Sequence, residues 1–207
     1  PEPAEARKWM KQTDASIRSY SLPILLLGNF MGAFGFSIVF GGSFVDAICG
    51  GICGILIGFI NYTLGRRKVN PFFNTIASAF VMAFAAYAMS AARIANNVDT
   101  VIIGALMILV PGLVFTNAMR DIIYGDTNSG INRCVQVILI AMGIALGTAC
   151  AWSLASTLWG TPVSISAIQY SFGVQCLFAF LGCMGFVIVF NIHGKGSPLC
   201  ALGGALT

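Results

Sequence analysis

Charge is what this sequence has least of. Its 207 residues include 11 Lys and Arg, 7 Asp and Glu and a single His, so that charged residues make up only 9% of the chain. A soluble domain carries about 25% charged residues. With 57% apolar residues and 24 Gly, this composition excludes a soluble enzyme, a coiled coil and a disordered chain. It predicts a helical membrane protein, in which small residues let helices approach closely.

Patterns that carry enzyme or metal chemistry are missing from the sequence as well. No Ser-His-Asp set, phosphate-binding loop or nucleotide fingerprint is present, and the seven Cys lie in apolar runs without a C-x-x-C pair. Cys49 and Cys53 lie one helical turn apart beside Gly50 and Gly51, which predicts a packing surface rather than a metal site. We therefore expect no enzyme activity, no cofactor and no metal. Basic residues form no face outside short loops, so we expect no nucleic-acid partner.

Stretches without charge predict the membrane spans. A helix rises about 1.5 Å per residue and needs about 20 residues to cross the hydrocarbon. The sequence therefore predicts an all-α, polytopic helical membrane protein with about six full spans. A seventh span starts near Ser197-Pro198, with Ser as the N-cap and Pro at the first helical position. The six predicted spans are 20–41, 45–65, 71–92, 99–119, 132–154 and 167–192.

The same boundaries predict the domain organisation. Residues 1–18 are amphipathic and of mixed charge, as expected for the end of a cytoplasmic extramembrane helix. Residues 19–155 form a first five-helix membrane module, and residues 167–207 form the truncated start of a second. The chain begins with Pro and stops inside an apolar run too short to span a bilayer, so we expect an excerpt from a longer protein.

The distribution of basic residues predicts the orientation. All Lys and Arg except Arg93 fall on the N-terminal side of the predicted membrane. Because cytoplasmic loops carry an excess of Lys and Arg, we expect a cytoplasmic N-terminus. The expected location is the plasma membrane, of the bacterial inner-membrane type, crossed several times.

An internal repeat adds a topological prediction. Residues 30–40 and 180–190 are identical at seven of eleven positions at an offset of 150, and Gly50-Gly51 matches Gly203-Gly204 further on. Five predicted crossings separate the two copies, so the copies should run through the membrane in opposite directions. That is an inverted-topology repeat, which in many transporters places the substrate site between the halves near mid-membrane. It predicts a five-plus-five bundle that needs four more helices after Thr207.

The fourth predicted span is interrupted by Pro111-Gly112. A half-helix that starts at Gly112 would direct free N–H groups and a positive dipole end into the membrane, which suits a carboxylate. Asn117 and Arg120 lie three residues apart on one helical face. Together with Arg133, these are the candidate substrate-binding residues.

Two interpretations of this segment remain open from the residues alone. Arg120 and Arg133 could clamp a carboxylate, or they could pair with Asp121 and Asp126. In the second case the segment is a Pro kink followed by an interfacial helix.

Asp46, at the start of the second predicted span, is a candidate proton-coupling carboxylate. It could instead be an acid favoured by the helix N-terminus, or a partner for Arg93. His193, beside Lys195, is either a titrating gate or an exposed loop residue. Further polar side chains within the spans could line a polar path or bond neighbouring helices: Asn29, Asn74, Ser78, Gln136 and Gln175.

These features resemble the signature of the threonine/serine exporter family. Residues 1 to about 155 resemble the membrane part of its N-terminal module, and residues from about 167 resemble the start of its shorter second module. The resemblance implies export of threonine and serine, or of dicarboxylates such as succinate in two-component relatives, but it implies no established binding residues. The motifs that carry it are Phe40-Gly41-Gly42, Asp46, Pro111-Gly112, Asn117, Arg120-Asp121, Gly125-Asp126, Ser129-Gly130, Arg133, Gly185-Phe186, Phe190-Asn191 and Gly203-Gly204.

The sequence thus predicts a secondary transporter that exports a small carboxylate-bearing metabolite, driven by a proton or ion gradient. Threonine or serine is the first candidate substrate, and a dicarboxylate of the succinate type is the alternative. A non-transporting membrane scaffold or sensor is the alternative from another class. The expected partners are the substrate, the lipid bilayer and the remaining half of the transporter, in the same chain or in a partner subunit.

Overall fold

The described part of the chain is entirely helical. A computed structural model describes residues 20–67, 69–160, 166–192 and 196–206, and these residues form eight α-helices and no strand. The predicted extramembrane helix at 1–18 lies outside them, as do Lys68, His193 and Lys195. The helices are α1 Leu22–Val39, α2 Phe44–Arg66, α3 Pro71–Ala91, α4 Val98–Leu106, α5 Gly112–Ile123, α6 Thr127–Trp159, α7 Phe172–Val189 and α8 Gly196–Leu206.

Five of these helices, α1, α2, α3, α6 and α7, are long and apolar enough to cross a membrane. The predicted all-helical, multi-pass class is therefore confirmed. The predicted count of six full spans is not confirmed, because the span expected at 99–119 consists of two short helices. α4 has 9 residues and α5 has 12, so they are about 13 Å and 18 Å long and neither covers a bilayer core of about 30 Å.

Two further boundaries differ from the prediction. The helix expected at 132–154 extends over Thr127–Trp159 as one 33-residue helix. The prediction placed its start at the apolar stretch, whereas the polar residues before that stretch are helical too. The last helix begins at Gly196, so Ser197 lies inside its first turn and is not the N-cap. The Ser197 hydroxyl instead donates to the carbonyl of Ile192 at 3.2 Å.

The core lies where α1, α2, α3 and α4 meet. Its fully buried side chains are small or flexible and include Ala33, Cys53, Met82 and Val101. Cys49 is also buried, so both cysteines of α2 lie in the small-residue surface expected for them. Small residues at these contacts let the helix backbones approach closely, which is how membrane helices gain packing energy without a hydrophobic driving force.

α1 and α7 have the same boundaries at an offset of 150 residues. Each has 18 residues and follows a serine. Each also ends in the same hydrogen-bonded cap, which needs a left-handed residue just past the helix. Gly41 supplies it after α1 with φ 88°, and Asn191 supplies it after α7 with φ 57°.

The two helices run antiparallel and touch through glycines. A Cβ added to Gly35 would lie 2.6 Å from the backbone N of Gly182 and 2.6 Å from the carbonyl O of Phe178. A Cβ added to Gly185 would meet the backbone of Gly32 and Gly28 in the same way. The contacts of residue i in α1 therefore recur at residue i+150 in α7, and the backbones approach too closely for any side chain there.

α6 runs parallel to α3, and the first turns of α6 extend beyond the end of the bundle at which α3 starts. Gly147 of α6 packs on the backbone of α3 at Ile76. Before that contact, the first turns of α6 pair with α5, where Gly130 touches Ala118 and Ile122. α5 and the start of α6 thus form a helical hairpin, which we call the α5–α6 hairpin.

Candidate functional site

A cavity of about 290 Å³ lies beside the break between α4 and α5. Residues 108–114 form one wall of it, and α2, α3, α6 and the end of α7 supply the rest. Pockets of about 300 Å³ and above are typical of small-molecule sites. The volume therefore suits a small metabolite. The lining residues outside 108–114 are Asn61, Pro71, Asn74, Thr75, Ile140 and Phe190.

Pro111 explains the break in the helix. Proline has no backbone N–H and disfavours a helical conformation at the residue before it. α4 accordingly ends at Leu106, and α5 starts at Gly112 with Pro111 as an N-cap that makes no side-chain hydrogen bond. The predicted interruption of this span is therefore present, as a gap of five residues rather than a kink.

Within the described ranges, the first turn of α5 has backbone N–H groups without a hydrogen-bond partner. The N–H of Gly112 donates to the carbonyl of Val110 at 2.9 Å. The N–H groups of Leu113 and Val114 are first-turn groups without an intrahelical acceptor, and Pro111 provides no cap for them. Both residues line the cavity. Such a helix start carries partial positive charge and favours an anion.

A polar cluster forms the opposite wall. The side-chain oxygen Oδ1 of Asn61 accepts two hydrogen bonds, from Asn74 Nδ2 at 3.0 Å and from Ser78 Oγ at 3.0 Å. The other polar atom of the Asn74 side chain, Oδ1, is buried and has no hydrogen-bond partner among the described residues. A buried acceptor left unpaired costs about 1–3 kcal/mol.

The cavity lies toward one end of the bundle. We call this end the basic side, because α2 ends there at Arg66 and Arg67. Asn61 is five residues before Arg66, which is about 7 Å along the helix, and Pro71 is the first residue of α3. The cavity is thus nearer the basic side than the mid-membrane position expected of a site between two halves.

The candidate binding residues are distributed over two places. Gly112 lines the cavity, whereas Asn117, Arg120 and Arg133 are not among the described residues that line it. They belong to the α5–α6 hairpin, and Arg120 lies eight residues beyond Gly112, about 12 Å along α5. Their role in binding stays a prediction.

Arg133 contacts an acidic residue of the hairpin. Its Nε lies 3.1 Å from Asp121 Oδ2, and the two side chains are 41% and 14% exposed. No described residue donates a hydrogen bond to Asp121 Oδ2, so the contact with Arg133 is an electrostatic pair without hydrogen-bond geometry. At this exposure such a pair contributes little to stability, about 0–1 kcal/mol.

Asp46 lies on the side of the bundle opposite the cavity and is 1% exposed. Its Oδ2 accepts from the backbone N–H of Ser43 at 2.9 Å and from the Ser43 hydroxyl at 2.7 Å. Its Oδ1 accepts from the backbone N–H groups of Asn96 at 2.7 Å and Asn97 at 3.1 Å. Asp46 therefore ties the start of α2 to the loop before α4. Within the described ranges the only ion pair is Arg133–Asp121, so Arg93 does not pair with Asp46.

The segment before α7 also makes hydrogen bonds on the side of the bundle where Asp46 lies. The backbone N–H of Ile168 donates to the carbonyl of Gly41 at 2.7 Å, and the Tyr170 hydroxyl donates to the carbonyl of Gly42 at 3.0 Å. The segment before α7, the loop before α4 and the α1–α2 turn are thus hydrogen-bonded together. This network links three connections on the side opposite the cavity.

Asn61 is the site residue that sequence reasoning missed. It lies within the predicted span 45–65, and only a few residues of turn separate that span from the one that contains Asn74. Neighbouring antiparallel spans bring residues at equal distances from their turn to the same depth. The signal available in the sequence was an Asn side chain on each side of the short turn between these two spans, Asn61 and Asn74.

Comparison with known proteins identifies the family. A family model for threonine/serine exporters (ThrE) matches residues 1–155. The chain belongs to this family. The matched region contains α1 to α5, the cavity wall at 108–114 and most of α6.

Two curated relatives are similar over part of the chain. Each is named "Probable succinate transporter subunit YjjP", one from Klebsiella aerogenes and one from Escherichia coli K12. They are 27% and 26% identical to this chain over 103 residues, which is 49% of the chain and 38% and 39% of the relatives. The chain thus spans less than half of their length. No solved structure matches it.

Proposed function

We propose that this chain is part of a secondary transporter that exports a small carboxylate-bearing metabolite, with threonine or serine as the first candidate, driven by a proton or ion gradient. Its membership of an exporter family supports transport and does not favour the scaffold or sensor alternative. The basic side would face the cytoplasm, where loops carry excess Lys and Arg. The cavity would then load from the cytoplasm, as export requires.

The start of α5 is the observation that carries this proposal. A buried carboxylate needs donors or positive charge to offset its lost hydration. The free N–H groups of Leu113 and Val114 offer both at the wall of the cavity. Broken helices whose N-terminal ends face an anionic substrate are a recurring design in secondary transporters.

The α1–α7 pair supports an inverted repeat as the framework of the transporter. Antiparallel helices whose contacts recur at an offset of 150 residues are related by a local two-fold axis in the membrane plane. In a five-plus-five bundle, α7 and α8 would begin the second module and would need counterparts of α3 to α6. Those helices would come from the same polypeptide or from a partner subunit, and the word subunit in the relatives' name fits the second arrangement.

A dicarboxylate of the succinate type is the second candidate substrate. The two curated relatives are named for succinate, whereas the family is named for threonine and serine. Either ligand would place one carboxylate at the start of α5. The two differ in what the rest of the cavity must recognise.

A transport assay tests the proposal directly. The complete transporter, meaning this chain with the helices or subunit that complete it, is reconstituted in proteoliposomes loaded with labelled threonine, serine or succinate. We expect release to accelerate when a pH gradient is imposed. Failure to move any of these carboxylates would contradict the proposed function.

A proline substitution tests the role of the helix start. Leu113→Pro removes one free N–H in the first turn of α5, where proline is tolerated. Losing one donor to a carboxylate should lower transport about tenfold or more. Gly112→Ala is the matched control, because a Cβ at Gly112 meets nothing within 4 Å and its N–H is retained. Equal transport by both variants would contradict the proposal that the substrate carboxylate binds at the start of α5.

A further inference from the structure

We propose that Tyr20 and Tyr170 clasp α1 and α7 into one fixed unit, and that access to the cavity changes by movement of the α5–α6 hairpin against this unit. The inference rests on the proposed function and assigns a fixed wall and a moving wall to the same cavity. It excludes a transport cycle in which two inverted halves separate between α1 and α7.

Two tyrosines at an offset of 150 residues make equivalent hydrogen bonds. The Tyr20 hydroxyl donates to the carbonyl of Ile192 at 3.4 Å, just past the end of α7. The Tyr170 hydroxyl donates to the carbonyl of Gly42 at 3.0 Å, just past the end of α1. Each tyrosine precedes one helix and bonds a residue that follows the other. The two-fold relation of the glycine contacts thus extends to both ends of the pair.

Backbone N–H groups reinforce both clasps. The N–H of Tyr20 donates to Asn191 Oδ1 at 3.2 Å, and the N–H of Ile168 donates to the carbonyl of Gly41 at 2.7 Å. Because α1 and α7 are antiparallel, one clasp lies on the basic side and the other on the opposite side. Separating either end of the pair therefore breaks a side-chain bond and a bond from the backbone together.

The glycine contacts between the clasps oppose sliding. A Cβ on Gly35 or Gly185 would meet the backbone of the opposite helix. A shift of α1 by one residue would bring Phe34 or Phe36 to the place of Gly35. Packed interfaces do not deform continuously, so α1 and α7 move together.

The fixed unit and the break between α4 and α5 form different walls of the cavity. Phe190 lines the cavity at the end of α7, next to the basic-side clasp. Residues 108–114, at the break, also line it. Among the described helices, α5 packs mainly on α6, and a Cβ at Gly112 would meet nothing within 4 Å. Irregular residues between two elements absorb backbone rotation at a hinge, so this wall can move while α7 stays in place.

Distances between spin labels test which elements move. One pair of labels is placed at Leu27 and Leu177, which are exposed on α1 and α7, and a second pair at Leu27 and Ile123, at the end of α5. The complete transporter is measured in proteoliposomes, in a background whose native Cys are replaced by Ala and which still transports. The added ligand is threonine, serine or succinate, whichever the efflux assay shows to be transported. At saturation we expect the Leu27–Ile123 distance to change by more than about 2 Å and the Leu27–Leu177 distance to change by less than that.

The two distances also define the results that would overturn the proposal. A larger change between Leu27 and Leu177 would mean that α1 and α7 separate. Two unchanged distances under transporting conditions would mean that the hairpin does not move. Absence of flux for every carboxylate would instead contradict the proposed function itself.

Removing one hydroxyl tests each clasp. The N–H groups of Ile192 and Gly42 each bond a carbonyl of the preceding helix at 2.9 Å, so their amide exchange reports opening beside each clasp. Tyr20→Phe should accelerate exchange at Ile192 about two- to tenfold, and Tyr170→Phe should do so at Gly42, because each variant loses one hydrogen bond. Tyr124→Phe, at an exposed position after α5, is the matched control and should change neither. Unchanged exchange in both clasp variants would overturn the role of the two tyrosines.

Discussion

Replacing Asp46 by asparagine tests the hydrogen-bond network on the side opposite the cavity. The carboxylate accepts four hydrogen bonds, two from Ser43 and one each from the N–H groups of Asn96 and Asn97. If Asp46→Asn keeps its oxygen toward Asn96 and Asn97, the new amide nitrogen faces the backbone N–H of Ser43. One buried donor is then unpaired, at about 1–3 kcal/mol, and the other bonds lose their charge assistance. We expect a loss of about 2–4 kcal/mol.

Thermal denaturation in detergent, followed by fluorescence-detected size-exclusion chromatography, measures this loss. For a chain of this size, 1 kcal/mol shifts Tm by about 2–4 °C, so Asp46→Asn should lower Tm by about 4–16 °C. Asp99→Asn is the matched control. Asp99 is an exposed acid in the first turn of α4, and its effect on the helix dipole is worth about 0.3–1 kcal/mol.

Two results would refute the reasoning. If Asp46→Asn melts no earlier than Asp99→Asn, the network around Asp46 does not hold the connections together. If Asp46→Asn keeps its full stability but loses the dependence of transport on a pH gradient, Asp46 couples protons and its bonds are not primarily structural. The second result would support the coupling role predicted from its position in the sequence.

Two further predictions follow from the helix contacts. Gly35→Ala and Gly185→Ala should destabilise the protein by similar amounts, about 1–3 kcal/mol each by overpacking, because the added Cβ meets backbone at equivalent positions. Gly173→Ala is the control and should not destabilise the protein, because Gly173 faces open space on α7. Clearly unequal losses of stability in Gly35→Ala and Gly185→Ala would argue against the symmetric contact. Arg120→Ala should leave KM close to that of the wild type, because Arg120 lies about 12 Å along α5 from Gly112 and outside the described cavity lining. A clear rise in KM at an unchanged maximal rate would instead place Arg120 in the binding site, and Arg133→Ala should behave like Arg120→Ala.

Sequence alone determined the class of fold and the location of the break. A charge content of 9% and charge-free stretches of helical length leave few structures other than a helical bundle in a membrane. Pro111 interrupts its helix because it lacks an N–H, and that consequence is local.

The span count failed for a physical reason. Charge-free length does not distinguish a continuous helix from two short helices joined by irregular backbone. Such backbone is tolerated at membrane depth only where it is buried in protein or lines a cavity. Whether neighbouring helices provide that environment for residues 107–111 is decided by packing, which the sequence does not display.

Tertiary structure alone decided which polar residues share a site. Arg120 and Arg133 suit a carboxylate by residue type, and the structure places them on the α5–α6 hairpin, outside the described lining of the cavity. Asn61, Asn74 and Ser78 meet because α2 and α3 pack antiparallel at a particular rotation about their axes. Hydrogen-bond partners such as Asp46 with Asn96, fifty residues apart, depend in the same way on how the helices pack. Residue types and periodicity set the elements of this protein, and the rotation and depth of each helix set its chemistry.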